Sequence, residues 1–473
     1  MSTEPAAGTP QNPYRVRAPA DILSLIPHTL GFEPRNSLVL LALCGNRLGA
    51  TLRLDLPPAR GLKPGTSAAY ALNACRFMAS DPRADGVLLA MYTDEPWIQP
   101  AHAPYRSLIR RMAKEFGAAG IPLQDGWLVG PDTWRNYFCV RPHCCPWPGT
   151  PRQQIADSML NTELVYRGSA YASSLENAVG ESFPPPWGNH EQVAEAQERF
   201  TALVGGQWNG KAQFRGTLLL WAKAAETDGA GSGSADPGSA DPGLAGSGDP
   251  APAGDSAPAV ATRLREDPEL AGFLLASLQD RSVRDTLLVL GAAGAQAALA
   301  GAEANGLTSR QAQPPVFPAP ALPSEPLPSE RLPSEPLRGT RARGTLAPVP
   351  FAGQDTGRAE GRPTAAADFR NILVGTSPTV PDWNMLDRTY AVFRDLVPVA
   401  AGDPKAALLC LLAWIEWARG RGSRSDVFLQ HALDESSGYR LALLLRELLG
   451  TGVLPDWARS RAGSWPGEPG EPG

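Results

Sequence analysis

The residues best suited to chemistry are Cys139, His143, Cys144 and Cys145, gathered in the stretch Cys139-x4-Cys144-Cys145-Pro146. Thiolate sulfur and imidazole nitrogen are donors that zinc prefers, and a four-residue gap falls within known ligand spacings. A closed structural site takes four donors, however, and neighbouring Cys144 and Cys145 seldom aim at one ion. No second cysteine pair lies nearby in sequence, so Cys44, Cys75, His28 or His102 would have to come in by folding. Zinc held by Cys139, His143, Cys144 and Cys145 is one reading. A redox or thiol-reactive role is a second, although no flanking base is evident. The plainest reading is of small apolar cysteines that shape a Pro-rich turn.

Two other patterns carry less. Gly205-x4-Gly210-Lys211 has the spacing of a phosphate-binding loop. That loop needs a strand before it, a helix after it and Ser or Thr following the Lys. Here a helix precedes it, Trp208 crowds it and Ala212 takes the hydroxyl position, so a Gly-rich helix–helix connection is expected. Asp94-Glu95 sits where a strand ends, the place where α/β folds gather ligands. Beside Pro96 it reads more simply as a solvated turn. Neither a G-x-S-x-G elbow, an H-E-x-x-H pair nor a dinucleotide fingerprint occurs, so no catalytic residue is assigned.

The elements that must position the cysteines follow from periodicity. Asp21 is expected to cap a short helix to Ile26, Pro27 to open a second turn, and Gly31 to end it left-handed. Ser37 to Cys44 reads as a buried strand, and Gly45-Asn46 as a hairpin turn. The return strand alternates, with Leu48, Ala50, Leu52, Leu54 and Leu56 on one face. A helix at 66–80, a strand at 86–92, an amphipathic helix at 104–118 and strands at 123–129 and 134–140 follow. Arg110, Arg111 and Lys114 form that helix's solvated face. This order implies a mixed α/β sheet with covering helices. Beyond Pro151 the pattern is helical, near 153–167, 173–179 (Ser173 and Glu176 at capping-box spacing), 190–204 and 212–226. Further helices are expected from Asp267-Pro268 to Leu278, at 282–299, 382–397, from Asp403 to Arg419, at 424–435 and at 438–449. The last three resemble stacked helical hairpins, with Trp414, Trp417, Leu429, Leu433, Leu441 and Leu445 as their core.

The chain has 473 residues, of which 48 are Gly and 48 Pro, and it contains repetitive tracts such as Ser234-Ala-Asp-Pro-Gly238 and Leu322-Pro-Ser-Glu-Pro326. Such tracts bury too little apolar surface to offset their chain entropy. The expected layout is a disordered leader at 1–18, an α/β domain with C-terminal helices at 19–226 and a low-complexity tract at 227–260. A helical segment at 261–301, a Pro-rich tract at 302–366, a helical-hairpin region at 367–458 and a disordered tail at 459–473 complete it. Lys+Arg (43) against Asp+Glu (48) gives a net charge of -5, with no general drive toward nucleic acid. The longest apolar run, Ala406 to Ile415, falls short of the roughly 20 residues of a membrane span. Six cysteines do not make a disulfide scaffold, and the N-terminus has no apolar signal core, so a cytoplasmic location is expected.

Several blocks are similar to an actinobacterial family known as domain of unknown function 4192. They are Ile26-Pro-His-Thr-Leu-Gly-Phe-Glu-Pro-Arg-Asn-Ser37, Arg53-Leu-Asp-Leu-Pro57 and Tyr137-Phe-Cys-x4-Cys-Cys-Pro146 with Gly149 and Pro151. Later blocks are Val283-Arg-Asp285, Ala413-Trp-x5-Gly420 and Gly438-Tyr-Arg-Leu-Ala442. The chain departs from the family pattern near Ser174-Leu175-Glu176, where an Arg is missing. The resemblance supports the layout and assigns no activity. The expectation is a non-enzymatic protein that binds a ligand or partner, with a protein partner docking on the C-terminal helical region and no nucleic acid or membrane involved. The alternative is an enzyme with a thiol or zinc-assisted site near Cys139–Cys145.

Overall fold

The computed structural model describes residues 16–58, 63–99, 102–139, 141, 143–180, 183–226, 264–319, 364–460 and 462–467. Of the stretches expected to be disordered (1–18, 227–260, 302–366 and 459–473), residues 1–15, 227–260, 320–363, 461 and 468–473 lie outside the described residues.

The front half is a mixed six-stranded sheet in the order β2-β1-β3-β4-β5-β6. Its strands are β1 (Ser37–Cys44), β2 (Arg47–Asp55), β3 (Gly86–Tyr92), β4 (Leu123–Val129), β5 (Thr133–Asn136) and β6 (Thr150–Pro151). Helix α3 (Arg106–Ala118) crosses between the parallel strands β3 and β4, and the other pairings are antiparallel. β1 and β3 are apolar on both faces because both faces are covered. Leu38, Leu40, Leu89, Met91 and Leu128 pack under α3 and α2 (Pro64–Met78). Val39, Leu41, Leu88, Ala90 and Trp127 pack under α1 (Pro19–Leu30).

Local expectations change in α1 and in β2. α1 continues through Pro27 to a left-handed Gly31. The Leu23 carbonyl, which Pro27 cannot bond, lies 3.5 Å from the Tyr92 hydroxyl, and Ile26 and His28 are buried in the continued helix. Asp21 sits inside the first turn, where its carboxylate accepts the Arg17 and Ala18 amides. In β2 the register against β1 shifts between Leu41 and Leu43. One extra residue exchanges the faces. Leu48 therefore packs on the α1 side and Leu52, Leu54 and Leu56 on the α2–α3 side.

The predicted helix at 153–167 is broken into α4 (Gln153–Ala156) and α5 (Met159–Tyr166), because the Ser158 hydroxyl caps the second by accepting the Asn161 amide. Helix α6 (Leu175–Gly180) is started by Ser174, whose hydroxyl accepts the Asn177 amide, and not by Ser173.

The rear half is helical around one continuous core. Its helices are α7 (His190–Val204), α8 (Lys211–Ala224), α9 (Pro268–Ser277), α10 (Arg281–Ala304), α11 (Ala365–Val374), α12 (Trp383–Leu396), α13 (Gly402–Ala418), α14 (Gly422–Glu435) and α15 (Arg440–Gly450). Asp267, Asp280 and Asp382 cap α9, α10 and α12 through side-chain oxygens. α7 and α8, grouped with the sheet by sequence order, pack instead against α9 and α10. α13 is the central helix, and every residue from Ala406 to Ala418 is buried. The indole N–H groups of Trp414 and Trp417 there donate to the carbonyls of Leu373 (2.9 Å) and Val453 (3.0 Å).

α10 is the one helix among the described residues long and apolar enough to cross a bilayer by length and composition. It is interrupted at Gly294 (φ 84°), and Leu287, Leu290 and Ala298 lie in the helical core. Residues 302–319, expected to lie in the disordered Pro-rich tract, are ordered. α10 runs on to Ala304, Ser309 bridges to Gly210, and Phe317 packs against Phe273. Within the tail expected to be disordered, the Trp465 indole donates to Asp387 (3.1 Å) and its ring stacks on Arg419.

Candidate metal centre

β5 ends at Asn136, short of the predicted Val140, because the Asn136 side chain captures the chain. Its Oδ1 accepts the backbone N–H groups of Phe138 (2.9 Å) and Cys139 (2.8 Å). Its Nδ2 donates to Asp125 on β4 (2.7 Å), which fixes the amide's orientation. A second turn follows, in which the amides of Cys144 (3.2 Å) and Cys145 (2.8 Å) both donate to the Arg141 carbonyl. At the far end Gly149 lets the chain return beside β5, since a Cβ there would lie 2.8 Å from the Trp134 carbonyl oxygen.

These turns bring the sulfurs of Cys139, Cys144 and Cys145 within 4.8 Å of one another. The Cys145 S–H points at Cys144 Sγ at 3.8 Å, and all six cysteines of the chain are free thiols. The Arg141 backbone N–H and the Cys145 thiol hold Cys139 below the ordinary thiol range. Burial, reinforced by the bonds to Cys139 and Cys144, pushes Cys145 up to about 12. Cys144 is exposed, and the other two are partly covered.

His143 does not join them. It is exposed at the apex of the Arg141–Cys145 turn, where two amides already bind one carbonyl and the intervening side chain is turned outward. The other residues that folding had to deliver are elsewhere. The Cys75 thiol donates to the Glu115 carbonyl (3.4 Å), and Cys44 faces Asp81. Cys410 is buried in α13, and His102 is exposed. His28 is buried and held on both ring nitrogens, by Asn161 Oδ1 (3.0 Å) and the Ser169 hydroxyl (2.9 Å). With Ser158 and Ser24 hydroxyls joined at 2.9 Å, these residues lock α1 to α5. The Asp94-Glu95 pair stands in a turn, where the Glu95 amide donates to the Thr93 hydroxyl. Gly205 to Gly210 connects α7 to α8, with Trp208 buried and Lys211 paired with Glu303.

Sequence reasoning missed the frame around the sulfurs. Arg135 of β5 is 7% exposed, and its guanidinium lies over the rings of Trp97 (5.2 Å) and Trp147 (5.0 Å), which meet edge to face. Its Nη1 donates to the Pro146 carbonyl (3.0 Å), the residue after Cys145. Trp97 also contacts Tyr137 (5.5 Å between rings) and donates its indole N–H to Gln99. The Tyr137 hydroxyl donates to the Pro104 carbonyl. The loop after β3 and the cysteine loop are thus joined by one stack of aromatic rings around a cation. The sequence signal was the closeness of Tyr137, Phe138 and Trp147 to Arg135 and Arg141, while Trp97 lies far ahead of them in the chain.

The family model described as domain of unknown function (DUF4192) matches residues 19–322 and 386–456. The chain belongs to the DUF4192 family. The DUF4192 match takes in the sheet, the cysteine loop and most of the helical core, while α11 lies outside it and still packs Phe369 and Ile372 into that core. No curated protein and no solved structure matches the chain.

Proposed function

We propose that the protein is a non-enzymatic binding protein whose ligand is a thiophilic metal ion held by Cys139, Cys144 and Cys145. The observation that carries this reading is the convergence of three sulfurs on one point without a disulfide between them. Thiolate donors select soft or borderline ions, zinc among them. The loop is held by Asn136 and Arg135 from the sheet edge, so little ordering entropy is spent when an ion enters. Among the described residues the donor group is made of sulfurs alone.

The test is an anaerobic titration of the reduced full-length protein with cobalt(II), followed by displacement with zinc. One equivalent and a sulfur-to-cobalt charge-transfer band are expected, both lost in a variant with Cys139, Cys144 and Cys145 replaced by serine. Equal uptake by wild type and that variant would place the metal elsewhere and overturn the proposal.

A further inference from the structure

We infer that the ion this centre is shaped for is a trivalent metalloid, supplied as its hydroxide and bound as a pyramidal tris-thiolate; this rests on the three-cysteine reading above. The inference comes from what the centre provides and where it stops. Three sulfurs lie within 4.8 Å of one another, and no fourth His, Cys, Asp or Glu donor joins them among the described residues. Val140 and Pro142, within the loop, carry no ligand atom by residue type. Zinc fills four positions and would have to take its fourth donor from solvent here. Trivalent arsenic or antimony makes three bonds to sulfur, and its lone pair occupies the fourth direction.

Charge points the same way. Three thiolates leave zinc with a net charge of −1, whereas a trivalent metalloid is neutral. A neutral complex needs no counter-charge from the loop, which mixes apolar Phe138, Pro146 and Trp147 with exposed Arg141 and His143. The reaction balances without an oxidant or reductant. Arsenous acid and three thiols give the tris-thiolate and three waters; three As–O and three S–H bonds break, and three As–S and three O–H bonds form. Exposed Cys144 is the first thiol to exchange, and Cys139 and Cys145 follow within the same loop.

The experiment titrates reduced full-length protein with arsenite and, in parallel, with cadmium(II), counting reactive thiols and recording the native mass. Arsenite is expected to add one arsenic per chain, to remove three thiols from reaction, and to bind at least tenfold more weakly to each single Cys→Ser variant at 139, 144 and 145. Arsenite that blocks only two thiols, or that binds the triple serine variant as well as wild type, overturns the inference. If cadmium binds through the three cysteines and arsenite does not, the inference falls while the proposed metal site stands. If neither ion binds, both fall.

Discussion

Replacing Arg135 with methionine tests whether the aromatic stack positions the sulfurs. The change keeps an apolar stem and removes the cation and its hydrogen bond to the Pro146 carbonyl. Each of the two ring contacts contributes about 0.5–1 kcal/mol when exposed and about 2 when desolvated. The bond from Nη1 to the Pro146 carbonyl adds about 1.5–3 kcal/mol, because one partner is charged. Arg135 is buried, whereas Trp147 is 40% exposed, so lower values suit Trp147 and a total of about 3 kcal/mol is reasonable. At about 1.4 kcal/mol per decade, the docked loop loses up to about a hundredfold in relative population. Zinc or cobalt affinity is therefore expected to weaken by about tenfold to a hundredfold in R135M. R135K, which keeps the charge and loses the flat fork, falls between. Isothermal titration calorimetry gives the affinity, and tryptophan emission reports the freeing of Trp97 and Trp147. Urea unfolding of the helical core, which does not contact this stack, stays unchanged. A variant whose tryptophan emission shifts while its metal affinity stays at the wild-type value would refute the reasoning, because the loop would then be undocked and the sulfurs still in place.

Other expectations follow from buried polar groups. His28→Ala leaves Asn161 Oδ1 and the Ser169 hydroxyl without their shared partner, and a loss of about 2–4 kcal/mol in urea unfolding is expected, with α1 exchanging its amides faster. Asp395 is 1% exposed, and burial raises its carboxyl above the ordinary range despite Arg394 and Arg265 nearby. A carboxyl raised on folding contributes most below its unfolded value and loses that contribution as pH rises through its folded value. Asp395→Asn is therefore expected to gain stability relative to wild type above the folded pKa, and the gap to close on acidification through that value; urea midpoints across pH measure it. Trp414→Ala removes a fully packed indole and its bond to the Leu373 carbonyl, with an expected cost of about 3–5 kcal/mol in urea unfolding.

The parts of the fold that could be read from sequence are those set by local chemistry. Asp267 and Asp382 announce helix starts, and the double-sided apolarity of β1 and β3 announces a covered sheet. The misread parts depend on distant partners. Pro27 stays helical because Leu23, Ile26 and His28 are buried by other segments around it. The face exchange in β2 comes from a bulge against β1, and periodicity in one strand carries no trace of it. Phe317 orders the stretch after α10 because Gly216 leaves room for its ring: a Cβ at Gly216 would lie 2.2 Å from it. At the candidate site, residue types alone put His143 with the cysteines. The separation between them arises from a turn whose two amides share the Arg141 carbonyl, and from an Asn136 that ends β5 four residues early. The Arg135 stack joins segments some forty residues apart in sequence, and only folding brings Trp97 to it.

The most direct test of the three-sulfur centre is X-ray absorption at the zinc edge of full-length protein loaded with one equivalent of zinc. Three sulfur scatterers at about 2.3 Å and one lighter atom from solvent are predicted. A shell of nitrogen and oxygen alone, or one unchanged when Cys139, Cys144 and Cys145 are replaced by serine, would contradict it.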